Sequence, residues 1–259
     1  MPFAEINGIH SYYELKGCPD LPVLTFSHSL GADLDMWRGQ VEALGSHYQI
    51  LCYDTRGHGQ SGTSSKAATM ADLGEDVLGL LDALDFDKTN FCGISMGGVI
   101  GQWLAIRAPQ RLEKLVLANT AAKIGNADTW NARMATVLQN GLSPIVDGTI
   151  ERWFTAAFRE EQPVTVANVR STLAKTDAAG YLACCAAIRD ADFRDELGGI
   201  TTPTLVIAGS ADPVTTPSDG HFLASNIAAA RYVELVAAHL SNLGAADLFN
   251  AALRGFLDT

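Results

Sequence analysis

The sequence predicts an α/β fold: a mostly parallel central sheet with helices on both faces and a block of helices inserted after the sixth strand. Three observations carry this. Apolar runs rich in β-branched and aromatic residues alternate with stretches of helical periodicity. Each apolar run ends in a polar loop, as strands buried on both faces do. The alternation breaks once, between residues 121 and 190, where the pattern is helical throughout.

The elements follow in order. Asn7-Gly8 is a two-residue hairpin signal, so "AEIN" and "HSYYELKG" pair as the first two strands. "PVLTFS" and "YQILCYD" are the third and fourth. Met70, Leu73, Val77, Leu80, Leu81 and Leu84 recur at steps of three and four, and Thr69 with Asp72 gives that helix a capping-box start. The preceding Ser/Thr-rich patch, "SGTSSKAAT", is a loop. "TNFCGIS" is the fifth strand. Val99, Ile100, Trp103 and Leu104 mark a helix that stops near Pro109. "LEKLVLAN" is the sixth strand. In the helical block, Trp130, Met134, Trp153, Phe154, Phe158 and Tyr181 supply apolar surface. "PTLVIAG" and "RYVELV" close the sheet, and Leu243, Leu248, Phe249, Leu253 and Phe256 form a terminal amphipathic helix. Residues 1–120 and 191–259 thus make the core. Residues 121–190 make a lid over the carboxyl ends of the strands, where open α/β sheets bind ligands.

Composition narrows the function. The chain has 259 residues, 47% hydrophobic and 18% charged, which suits a folded globular protein. Lys plus Arg is 18 against 29 for Asp plus Glu, a net charge of −11. That field repels phosphate backbones and anionic lipid, so neither a nucleic acid nor a membrane surface is expected as a partner. The N-terminus shows no signal-peptide pattern, and no apolar run reaches membrane-spanning length. Cys18, Cys52, Cys92, Cys184 and Cys185 are odd in number and irregular in spacing, which argues against a disulfide framework and for buried thiols in a reducing cytoplasm. Nothing in the composition sets an oligomeric state.

The chemistry starts at "FCGISMGGVIG", residues 91–101. Gly93-Ile94-Ser95-Met96-Gly97 fits G-x-S-x-G between a strand and a helix, the context that holds a nucleophilic serine on a tight turn. A serine hydroxyl needs a base, and on this architecture an acid and then a histidine follow in chain order. Asp212 stands in the loop after "PTLVIAG" and His239 in the loop after the last strand. Ser95, Asp212 and His239 are therefore the expected triad. The oxyanion donors are the backbone N–H of Met96 and one from the loop "FSHSLGADLDMW", assigned to Leu30. His28, at the end of its strand, is read as shaping that loop. His221 lies before the last strand, outside the triad order.

These residues resemble the α/β-hydrolase superfamily over essentially the whole chain. "DTRGHGQS", residues 54–61, looks like that superfamily's loop after the fourth strand, so by resemblance His58 is structural. Within the superfamily, "SHSLGADLDMW", "GISMGGVIGQWLA", "LANTAAKIG", "CCAAIRDAD" and "AAHLSNL" are similar to the 3-oxoadipate enol-lactonases, which open a small lactone in the protocatechuate branch of aromatic degradation. Ser29 and Ala238 stand where many superfamily members have glycine. A serine nucleophile departs from the haloalkane dehalogenases and epoxide hydrolases, which use aspartate. The resemblance implies a lactone hydrolase acting through an acyl-enzyme, with no metal or organic cofactor. The family's substrate carries a free carboxylate, and a cation must meet it: Arg133 first, then Lys123 or Arg152, with Trp130 and Trp153 as candidate walls. A carboxylesterase or carbon–carbon bond hydrolase on the same scaffold is the alternative, and a hydrolase-fold ligand receptor a more remote one.

Overall fold

The computed structural model of the protein describes residues 2–63 and 67–259. Ser64, Ser65 and Lys66 of the Ser/Thr-rich patch lie outside the described residues; the rest of that patch forms no helix or strand.

Eight strands form one sheet: β1 (Phe3–Ile6), β2 (Ile9–Lys16), β3 (Val23–Ser27), β4 (Gln49–Tyr53), β5 (Thr89–Ile94), β6 (Leu112–Ala118), β7 (Thr204–Gly209) and β8 (Arg231–Leu235). Their order across the sheet is β1-β2-β4-β3-β5-β6-β7-β8. β2 runs antiparallel to β1 and β4, and every later pair is parallel. Asn7 and Gly8 take φ of 45° and 79° at the hairpin, as its two-residue turn requires. β4, β5 and β7 are buried along their whole length, which is why they read as unbroken apolar runs.

Among the described residues six helices flank the sheet: α1 (Arg38–Leu44), α2 (Met70–Ala83), α3 (Met96–Arg107), α9 (Pro217–Asn226), α10 (Ser241–Gly244) and α11 (Ala246–Leu257). Thr69 and Asp72 form the predicted capping box on α2. α3 stops at Arg107, just before Pro109. The terminal helix differs from its prediction. The chain breaks at Ala245, so Leu243 falls on α10, and Leu248 is 58% exposed. Phe249, Leu253 and Phe256 carry the burial instead, Phe249 against Trp37, whose ring stacks on Phe26 at 4.5 Å. Between β6 and β7 lies the helical insertion: α4 (Ala127–Asn140), α5 (Ser143–Trp153), α6 (Ala156–Glu161), α7 (Pro163–Lys175) and α8 (Ala178–Asp190). Cys184 and Cys185 are buried in α8, and all five cysteines are free. Among the described residues, no helix is long and apolar enough to cross a membrane.

The loops after β3 and β4 brace each other. His28 Nε2 accepts the Thr55 N–H at 2.9 Å, and His58 Nε2 accepts the Gly31 N–H at 3.0 Å. Asp54 adds a third tie, accepting the Leu34 N–H at 2.9 Å. Arg56, in the β4 loop, pairs through two nitrogens with Asp76 of α2, at 2.5 and 2.6 Å. Burial outweighs these bonds at Asp54 and raises its carboxyl to about 7.

Burial also lowers His58 to about 4, with the Arg56 carbonyl and Asp177 opposing. An unfolded histidine titrates near 6.5, so below that pH unfolding takes up a proton that the folded ring refuses. The stability held by the neutral ring is complete above about pH 6.5 and drains as pH falls toward 4. His58→Gln keeps an acceptor for the Gly31 N–H but cannot titrate. Urea unfolding at pH 6 and pH 5 should give a pH slope smaller by about one proton in the variant than in the unaltered protein. Equal slopes would show that folded His58 is already protonated.

Candidate active site

The turn from β5 to α3 is the most constrained point of the sheet. Ser95 sits there at φ 55°, ψ −115°, a conformation that costs a non-glycine residue about 1–3 kcal/mol. Its surroundings hold it. The Ser95 N–H donates to the Ala118 carbonyl at 3.0 Å, and Thr120 Oγ1 donates to the Ser95 carbonyl at 2.8 Å. The flanking glycines are required by close approach. A Cβ on Gly93 would lie 2.0 Å from the Gly97 carbonyl oxygen, and one on Gly97 would lie 2.2 Å from that of Ser27. Met96 opens α3, so its N–H is one of the four that a helix start leaves without a helical partner.

Asp212 follows β7 and His239 follows β8. The His239 Nδ1 lies 2.8 Å from Asp212 Oδ2, and both side chains are buried. Asp212 also accepts from Val214 N–H (2.8 Å), Thr215 N–H (3.1 Å), Thr215 Oγ1 (2.8 Å) and Asn119 Nδ2 (2.9 Å). Burial pushes this carboxyl up, but the His239 charge and the converging donors outweigh it. The net result is a pKa below the ordinary carboxylate value. With Nδ1 committed to Asp212, Nε2 is the histidine nitrogen left for a hydroxyl. Asn119 had no sequence signal beyond ending the β6 run. It takes φ 41°, and besides Asp212 it donates to the Ala238 carbonyl at 3.2 Å and accepts from Ser241.

A cavity of about 50 Å³ lies over these strand ends. The core gives it Ser95, His239, Leu30 and Val214. The insertion gives it Trp130, Arg133, Arg152 and Trp153. Of the residues named from sequence for catalysis and substrate contact, all but Asp212, Met96 and Lys123 line this cavity; Asp212 bonds His239, and Met96 follows Ser95 in the chain. Lys123 does not line it; its ammonium pairs with Asp192 at 3.0 Å. His221 lies on the exposed face of α9, stacked on Tyr232 at 4.0 Å.

The two arginines set the cavity's charge. Arg133 Nε donates to the Tyr181 hydroxyl at 2.7 Å and Nη2 to Thr149 Oγ1 at 3.0 Å. Arg152 Nη2 donates to the same Thr149 oxygen at 3.3 Å. Among the described residues neither forms an ion pair with a carboxylate. Burial, and next the Arg133 charge, lower the Arg152 pKa, the mark of two cations crowded without a counter-ion. Trp153 is buried, and its carbonyl accepts the Leu240 N–H at 3.2 Å, tying the insertion to the loop of His239. Trp130 is held by its Nε1 bond to the Ile124 carbonyl at 2.7 Å.

Comparisons with known proteins give the family. The family described as alpha/beta hydrolase fold matches residues 22–245. The chain is 45% identical over 245 residues to the 3-oxoadipate enol-lactonase 2 of Acinetobacter baylyi, covering 95% of this chain and 92% of that one. The crystal structure of the enol-lactonase from Burkholderia xenovorans LB400 superposes with a TM-score of 0.98 at 44% identity, covering all of both chains. A thermophilic esterase from Thermogutta terrifontis, solved with malate bound, gives 0.91 at 26% identity, covering 100% of this chain and 97% of that one. The chain therefore belongs to the α/β-hydrolase fold family and is similar, over nearly its whole length, to the 3-oxoadipate enol-lactonases within it.

Proposed function

We propose that the protein hydrolyses a small anionic lactone of the 3-oxoadipate enol-lactone type through a Ser95 acyl-enzyme. One observation carries the reading: a single cavity is lined by Ser95 and His239, backed by Asp212, and by two arginines that pair with no carboxylate among the described residues. The names of the relatives at 44–45% identity support the same substrate class.

Ser95 Oγ attacks the ring carbonyl while His239 Nε2 takes its proton. Asp212 holds the imidazole at Nδ1 and stabilises the cation that forms. The N–H groups of Leu30 and Met96 meet the oxyanion, the latter aided by the start of α3. Collapse of the tetrahedral intermediate breaks the ring C–O bond and releases an enolate, still tethered as part of the acyl group. The proton that His239 took from Ser95 passes to the enolate, which becomes a ketone, and leaves the imidazole neutral. His239 then draws a proton from water, which attacks the ester; that proton passes to Ser95 Oγ as the dicarboxylate leaves. Arg133 and Arg152 hold the substrate carboxylate away from the acidic exterior, between the walls of Trp130 and Trp153. Residues 121–190 serve as the lid on the core formed by 1–120 and 191–259. The reading carries a role in aromatic degradation in the cytoplasm, a setting the five free cysteines support.

Turnover of the enol-lactone by purified protein, followed by absorbance, tests the reading. Equal efficiency on simple neutral esters would turn it into a carboxylesterase, and absence of turnover on either would leave a binding protein. Ser95→Ala should lower kcat on the order of 10⁶-fold, His239→Ala by a similar factor, and the double variant little further. Asp212→Ala should lose on the order of 10⁴-fold. Losses that multiply in the double variant would dissolve the triad into independent parts.

Arg133→Ala should lower kcat/KM for the carboxylated lactone by about 30-fold or more, the consequence of losing about 2 kcal/mol of a buried charge-assisted contact. A small neutral ester should be hydrolysed nearly as before. Equal losses on both substrates would make Arg133 a support of the insertion instead.

A further inference from the structure

The loop after β3 carries Leu30, and one amide within it bears on the reaction. The Ser29 carbonyl and the Leu30 N–H belong to the same planar peptide unit. Whatever fixes that carbonyl therefore fixes the direction of the N–H. The His28 imidazole meets it: Nδ1 lies 2.8 Å from Ser29 O.

The ring's tautomer is set from its other side. Nε2 accepts the Thr55 N–H at 2.9 Å, so the one proton of the neutral ring stands on Nδ1 and points at Ser29 O. His28 is wholly buried, and burial, followed by the nearby His58, pulls its pKa to about 3, so the neutral form persists across the working range of a hydrolase. The two rings are 5.2 Å apart. His58 grips the next peptide unit through the Gly31 N–H, so the Leu30 backbone is held on both sides. Donation to an amide carbonyl also polarises that amide's N–H and strengthens it as a donor.

We propose that His28 is a positioning residue for the hydrolysis: through its Nδ1–H bond to the Ser29 carbonyl it aims the Leu30 N–H at the developing oxyanion. The inference rests on the oxyanion role given to Leu30 above. It separates His28 from a residue that merely fills the loop, because the ring's two nitrogens do different work. Nε2 ties the loop to the β4 loop. Nδ1 orients the donor.

Two substitutions part these tasks. Glutamine reaches the place of Nε2, so His28→Gln leaves the Thr55 N–H an acceptor and removes the donor to Ser29. Asparagine puts its amide nitrogen where Nδ1 stands, so His28→Asn keeps that donor and drops the acceptor. His28→Gln should lower kcat about 10- to 100-fold, less than the 10²–10³-fold typical of outright loss of an oxyanion donor. KM should change little, and the loss should be the same on the anionic lactone and on a neutral ester. Affinity for phenylboronic acid, whose serine adduct mimics the tetrahedral oxyanion, should fall by the same factor. His28→Asn should recover most of kcat and boronate affinity although it is the variant with the lower melting temperature. If instead kcat follows thermal stability, with the asparagine variant the slower, His28 is only structural and the proposal is overturned. Replacing Leu30 by its α-hydroxy analogue, which exchanges the N–H for oxygen, tests the reading beneath. A lowered kcat there beside an unaffected His28→Gln overturns the role of His28 alone. An unchanged kcat there withdraws the oxyanion role from Leu30 and the proposal with it.

Discussion

The carboxylate of Asp212 is wholly buried, and the rest of the site follows from how that charge is accommodated. A buried ion without partners costs several kcal/mol. Here the donors come from three strand ends: Asn119 after β6, Val214 and Thr215 after β7, and His239 after β8. The pairings Ala118 with Ile207 and Gly209 with Leu235 keep those ends level. Satisfying one carboxylate thereby aligns three loops, and the nucleophile's turn joins them through the Ser95 N–H bond to Ala118. A slip in β6 would disturb the acid and the serine together.

Charge is distributed at two scales. The chain as a whole carries −11. The cavity nevertheless turns two guanidiniums inward, held by neutral oxygens of Tyr181 and Thr149. Neutral acceptors orient a cation without cancelling it, so the field inside the cavity stays positive. Both guanidiniums are half-buried, so water screens their field less than it screens an exposed charge.

Much of this was legible in the sequence, for stated reasons. β4, β5 and β7 announced themselves because strands buried along their whole length are apolar from end to end, whereas β1 and β2 were read from the Asn7-Gly8 turn between them. The proposed triad was read from three residues at strand ends in one chain order, and the fold brings Asp212 to His239 and places His239 and Ser95 on one cavity. Two flanking helices gave no signal: α1 buries only Gln40 and Leu44, and α9 only Gly220 and Leu223, too few points for a period to show. Leu248 and Leu243 looked like one stripe because periodicity does not see the break at Ala245. Asn119 touches Asp212 from a different loop, far off in the chain, and no spacing in the sequence encodes that meeting. Lys123 and Arg152 were equal candidates as cations beside the cavity. Only the fold shows that Lys123 reaches Asp192, whereas Arg152 faces inward.

The cavity's two walls come from different stretches of chain. The residues proposed to break the bond stand at strand ends of the sheet, where their geometry is fixed by backbone pairing. The residues proposed to meet the far end of the substrate, Trp130, Arg133, Arg152 and Trp153, all lie on α4 and α5. Selection can therefore rework the molecule's tastes helix by helix while its reactivity is inherited unchanged. A lineage can drift from one carboxylated ester to another without passing through an inert ancestor.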